Sequence, residues 1–87
     1  MSKTSRLSHY IGKTVRSRRR SKGITIEKLA EESELNDKYL GEIERGEVNI
    51  SIETLFKIAN GLSLKDPSDL LVEATREVYS SMSKREE

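Results

Sequence analysis

The amino-acid sequence predicts an all-α protein, a compact bundle of five short helices. Three observations lead there. Apolar residues recur at intervals of three and four, and no stretch sustains the period of two that a strand requires. A single proline and five widely spaced glycines leave room for helices and for the turns between them. Side chains able to cap a helix stand ahead of the later apolar runs. With 33% hydrophobic and 36% charged side chains, the 87 residues support one domain with a modest core and largely local contacts.

The first helix is expected to carry Leu7, Ile11 and Val15 as an apolar stripe and to end near Gly23, a good residue for closing a helix. Thr25 caps the second, with Glu27 near the positive end of its dipole and Leu29 and Ala30 facing the core. Asn36 caps the third, "DKYLGEIE", in which Tyr39, Leu40 and Ile43 are apolar and which Gly46 terminates. Ser51 caps the fourth, carrying Leu55, Ile58, Ala59 and Leu62. Asp66 caps the fifth, with Pro67 at its first position and Asp69 in its first turn. Its run "LLVEATREVYSSM" places Leu70, Ala74, Val78 and Met82 at steps of four, with Leu71 and Tyr79 beside them. The expected organisation is a basic arm over 1–6, a domain over 7–71, and a helical extension with a frayed tail over 72–87.

Charge is divided unevenly. Residues 1–23 hold Lys3, Arg6, Lys13, Arg16, Arg18, Arg19, Arg20 and Lys22 and no acid, a net of +8, while residues 24–87 carry a net of −7. A basic end of this kind either meets an external anion or balances the acidic half of its own fold.

Other classes are excluded by what the residues lack. Without cysteine there is neither a disulfide framework nor a thiolate metal site. No apolar run approaches the ~18 residues of a membrane span, and the N-terminus lacks the apolar core of a secretory signal. A cytoplasmic protein is expected. The one histidine, His9, has no cysteine or acidic partner in helical register, and no metalloprotease or phosphate-cradling motif occurs. The sequence therefore predicts no enzyme, no cofactor and no metal.

The second and third helices, joined by "SEL", have the spacing of a helix-turn-helix. The stretch "GITIEKLAEESELNDKYLGEIERGEVNISIETLFKIANGL" (23–62) resembles the Cro/cI-type, or XRE, helix-turn-helix regulators. The likeness rests on Gly23, Thr25, Leu29-Ala30, "YLGEIERG", Asn49 and "SIETLFKIA", and covers residues 11–71. It implies a lambda-repressor-like five-helix bundle whose third helix enters the major groove. It also implies that Asn36, Asp37, Lys38, Gly41 and Glu42 face base edges, and that Thr25, Tyr39, Arg45 and Asn49 touch phosphates. Arg19 and Glu44 match a structural pair of the family. Three positions depart from its pattern: Ile26 stands where a glutamine is usual, Glu34 where a glycine is usual, and Ile50 where a proline is frequent.

The expected reading head is acidic. Between Glu34 and Glu53, Lys38 and Arg45 face six carboxylates, a net of −4. Duplex DNA is held mainly through neutralised phosphates, so positive charge must come from the basic end, from Lys13 or Arg16 and from an arm over residues 2–7. A carboxylate can accept from cytosine N4 while Lys38 donates to guanine, so Asp37 and Glu42 either read G·C pairs or serve the helix dipole and the solvent.

Val78, Tyr79 and Met82 are expected to lack an intramolecular partner and to form a homodimer contact. A twofold dimer would present two reading helices about 34 Å apart to a pseudo-palindromic operator. No effector domain is expected after residue 87, so signals would arrive through dimerisation, a partner protein or the protein's own concentration. The expected function is a double-stranded-DNA-binding regulator, a repressor or autoregulator. The alternative is a protein-interaction module on the same fold, antitoxin-like, with weak or lost DNA binding.

Overall fold

The computed structural model describes residues 5–82. The helices are α1 (Arg6–Ser21), α2 (Ile26–Ser33), α3 (Asp37–Glu44), α4 (Ile52–Gly61) and α5 (Val72–Glu77). A 3₁₀ turn, Pro67–Leu71, leads into α5, and a second, Tyr79–Ser81, follows it. No strand occurs among the described residues. The expected caps at Thr25, Asn36, Ser51 and Asp66 all form, each side chain accepting from a backbone N–H of the first turn. Ser5 caps α1 in the same way.

Four helix ends share one construction. The residues Gly23, Glu34, Gly46 and Ser63 turn left-handed, at φ 69°, 58°, 72° and 61°. The next residue then donates its N–H five positions back: Ile24 to Arg19, Leu35 to Ala30, Glu47 to Glu42, Leu64 to Ala59. This closes orphan carbonyls at each end. Ile24, Leu35 and Leu64 drop onto the core from these turns.

Val15, Leu29, Leu40, Ile43, Ile58, Leu62 and Leu70 fill the centre and are almost wholly buried. Helices α1 and α3 approach closely at Gly12, where a Cβ would lie 2.0 Å from the Ile43 carbonyl oxygen. Gly61 gives α4 the same access to α2: a Cβ there would stand 2.1 Å from Ser33 Oγ, a buried hydroxyl with no hydrogen-bond partner among the described residues.

The structure corrects the sequence reading in four places. Leu7 is 42% exposed rather than core, because it stands on the border of an open groove that Leu71, Ala74 and Val78 also line. The helix begins at Arg6 behind its Ser5 cap, so residues 5 and 6 are the cap and first residue of α1; the rest of the expected arm, and the tail over 83–87, lie outside the described residues. The final helix is not one continuous α-helix. Ser80 Oγ donates to the Arg76 carbonyl and Ser81 Oγ to the Val78 carbonyl, and such bonds compete with helix continuation. Val78 does have an intramolecular partner: it is 6% exposed, buried in step with Leu70 and Ala74, whereas the change of winding leaves Tyr79 and Met82 exposed.

Glu34 is exposed, so its left-handed conformation is a local strain. A left-handed L-residue costs about 1–2 kcal/mol, and glycine's freedom in the unfolded chain returns about half of that. Glu34→Gly should therefore stabilise the fold by about 0.5–1 kcal/mol. Urea unfolding would show a higher midpoint at unchanged slope; a lowered midpoint would mean that the carboxylate makes a stabilising contact.

Candidate nucleic-acid interface

Helix α3 is held from both ends. At its start, the Asn36 side-chain oxygen accepts from Lys38 N–H at 2.8 Å and from Tyr39 N–H at 3.1 Å. At its end, Gly46 and Glu47 complete the closing turn described above. Leu40 and Ile43 anchor the inner face. The outer face presents Asn36, Asp37 and Lys38 in the open, with Glu42 and Tyr39 half-buried beside them. Gly41 is buried: the Arg45 guanidinium lies over it, with Nη1 3.2 Å from where a Cβ would stand.

The buried ion pair behind this face fixes its position. Arg19 Nε donates to Glu44 Oε2 at 2.7 Å and Nη2 to Oε1 at 3.1 Å, while Nη1 donates to the Ile24 carbonyl at 2.9 Å. One guanidinium thus joins α1, the α1–α2 turn and the end of α3. Hydrogen bonding to Glu44 raises the Arg19 pKa against the opposing effect of burial.

Around α3 stand the residues expected at phosphates. Thr25 is exposed, its hydroxyl accepting from Lys28 N–H at 3.0 Å. Arg16 and Arg45 line one cleft of about 120 Å³ with Arg19, Ile26, Gly41 and Glu44. Ile26 puts an apolar wall in this cleft, where a glutamine would offer an amide. Lys13 and Arg16 are exposed on α1 and share a shallow depression with Arg20, Ser17 and Ser21. Lys13 Nζ also lies 5.9 Å from the Tyr10 ring centre. Asn49 is exposed, and its side-chain oxygen accepts from Ser8 Oγ, which ties the α3–α4 loop to α1. Arg45 is not free: Nε and Nη2 donate to the Glu47 carboxylate at 2.9 and 3.3 Å.

This arrangement is a helix-turn-helix with its second helix exposed along one edge and cations at its border. The family model described as "Helix-turn-helix" matches residues 15–70. The chain belongs to the XRE-type helix-turn-helix family of DNA-binding transcriptional regulators, a non-enzymatic family. It is 39% identical over 69 residues to the control protein C.BamHI of Bacillus amyloliquefaciens, covering 78% of this chain and 84% of that one. It is 34% identical over 58 residues to the transcriptional regulator SutR of Escherichia coli K12, covering 67% of this chain but only 33% of SutR. Among solved structures, the restriction-modification controller C.AhdI of Aeromonas hydrophila superposes with a TM-score of 0.70 at 35% identity, covering 72% of this chain and 94% of that one.

Several residues at this surface escaped the sequence reading. Ser8 and Glu47 act through contacts that follow no helical period: 41 residues separate Ser8 from Asn49, and Glu47 lies past the end of α3. Ile52 and Phe56 are 69% and 54% exposed on α4. Their four-residue spacing, off the Leu55–Ile58–Ala59–Leu62 stripe, could have been noticed. Among the described residues no cluster of histidine or carboxylates is placed to hold a metal ion, and no helix is long and apolar enough to cross a membrane.

Removing one partner of a buried pair leaves an uncompensated charge, at about 3–5 kcal/mol. Arg19→Ala and Glu44→Ala should each destabilise the protein by that order. The double variant should lose less than the sum, because neither charge is stranded. Additive losses in a denaturant cycle would mean that the two residues act separately.

Proposed function

We propose that this chain is a sequence-specific double-stranded-DNA-binding transcriptional regulator that acts as a dimer, with α3 in the major groove. The observation that carries the reading is the exposed edge of α3, Asn36-Asp37-Lys38, bordered by exposed Lys13, Arg16 and Arg45. Phosphates fix the register through these cations, through Thr25 and Asn49, and through Tyr39 if it turns outward. Lys38 donates to guanine, and Asp37 and Glu42 accept from cytosine N4. Gly41 contributes the absence of a side chain, which lets the Arg45 guanidinium lie flat on α3. Likeness to the control protein C.BamHI and the restriction-modification controller C.AhdI supports a small controller; in the proposed reading it is an autoregulator that represses its own promoter in the cytoplasm.

A second copy is the partner this surface calls for. Leu7, Leu71, Tyr79 and Met82 border an apolar groove of about 250 Å³ floored by Ala74 and Val78. Binding two half-sites from one dimer raises the effective affinity of an acidic reading helix. A protein-interaction module on the same fold is the second reading, favoured by the net acidity around α3.

Selection from a random duplex pool, followed by salt titration, tests the reading. It requires a two-half-site sequence bound far more tightly than random DNA. Lys38→Ala should then relax preference at one or two base pairs. Arg45→Ala should weaken binding to all sequences and flatten the salt slope. Absence of enrichment would leave the protein-binding module.

For the dimer, the exposed Tyr79 is the informative position, since a charge at buried Val78 would also disturb the core. Tyr79→Asp should yield a monomer in sedimentation velocity. A dimer that survives it but dissociates with Phe56→Asp would place the contact on α4.

A further inference from the structure

We propose that Glu47 is an internal competitor for DNA phosphate: it occupies the Arg45 guanidinium in the free protein and so sets how strongly the α3 surface holds a duplex. The inference rests on the DNA-binding reading above and names a regulator of its affinity.

Three observations carry it. First, the geometry is that of an anion site already filled. Two parallel N–H groups of Arg45 meet the two oxygens of one carboxylate at 2.9 and 3.3 Å. A phosphate presents the same pair of acceptors to the same fork. Second, the pairing is built by the backbone. The left-handed turn at Gly46 and the 2.9 Å bond from Glu47 N–H to the Glu42 carbonyl hold Glu47 beside Arg45, while bare Gly41 lets the guanidinium lie down on α3. Third, Glu47 is the exception among four equivalent positions. After the other three closing turns the same position holds Ile24, Leu35 or Leu64, each packed on the core. At the end of α3 it holds a carboxylate that is half in solvent, as is Arg45.

The sign of the effect follows from magnitudes. An ion pair open to solvent contributes little to folding, so Glu47 is easily displaced and adds little by orienting Arg45. Its negative charge, by contrast, cancels one of the few cations next to α3 and removes about one unit of phosphate neutralisation. Net competition therefore outweighs net positioning. Hydrogen bonding within the pair raises the Arg45 pKa and lowers that of Glu47, so both groups stay ionised at neutral pH. Competition acts on every sequence alike. It raises the protein concentration at which an operator fills and leaves the choice of operator unchanged.

The experiment compares wild type, E47Q, R45A and the double variant on the selected duplex and on a random duplex of equal length, across a salt series. Thermal unfolding serves as the control for folding. E47Q should bind both duplexes about three- to tenfold more tightly, with the salt slope steeper by about one. In the R45A background the same change should gain markedly less. Weaker binding by E47Q would overturn the proposal in favour of a positioning role. Unchanged binding, or an equal gain with and without Arg45, would overturn it in favour of no role or general repulsion. If wild type binds the selected duplex, any of these failures leaves the regulator reading intact; if no variant prefers any duplex, both readings fall together.

Discussion

The placing of the helix-turn-helix depends on the guanidinium of Arg19. It spends three of its N–H groups on two partners that belong to different parts of the chain, the Glu44 carboxylate and the Ile24 carbonyl. Because Arg19 and Glu44 are both largely shielded from water, neither can relax into solvent without leaving the other stranded. The pair therefore acts as a locating pin. It sets the end of α3 against α1 at the height where Gly12 allows backbone contact, and it holds the turn that feeds α2. Apolar packing supplies most of the driving force for folding, but it is tolerant of small slides between helices. A bidentate, planar contact is not.

On this fixed frame α3 carries an acidic edge, a charge that would oppose a duplex in the proposed reading. That opposition would have a physical use. Attraction between cations and phosphates is blind to sequence, whereas a carboxylate is tolerated only where a base edge offers it a hydrogen. In that reading an acidic edge on α3 would suppress loose binding along the duplex and lower affinity for the intended site. The exposed cations of α1, Lys13, Arg16 and Arg20, lie outside this edge and can offset the repulsion.

Much of this was legible in the sequence because it is encoded locally. Caps at Thr25, Asn36, Ser51 and Asp66, the glycine turns at Gly23 and Gly46, and the stripes through α2, α3 and α4 are each written within a few neighbouring residues. The left-handed turn at Glu34 was visible only because the family pattern has glycine there. What stayed hidden was set by side chains meeting across the fold or bending back on their own backbone. The serines after α5 break its winding through bonds that periodicity does not see, and so Met82 leaves the stripe that Val78 keeps. Leu7 has the right spacing, but it meets only the border of an open groove. Asn49 meets Ser8 only because the loop after α3 returns to the start of α1. The roles of the individual bases' neighbours on α3 rest on the family resemblance, since spacing alone orients a helix without saying what it touches.

The closure of α3 at both ends by its own residues has a consequence for the thermodynamics of recognition. A helix of eight residues would not persist alone in water. Here Asn36 at its start, the Gly46 turn at its end and the core beneath it hold it in shape without a ligand. Little chain ordering then remains to be done when a duplex docks. The heat-capacity change of association would report the surface removed from water, with little contribution from coupled folding. The association rate would be governed by orientation and long-range charge, with no wait for α3 to form.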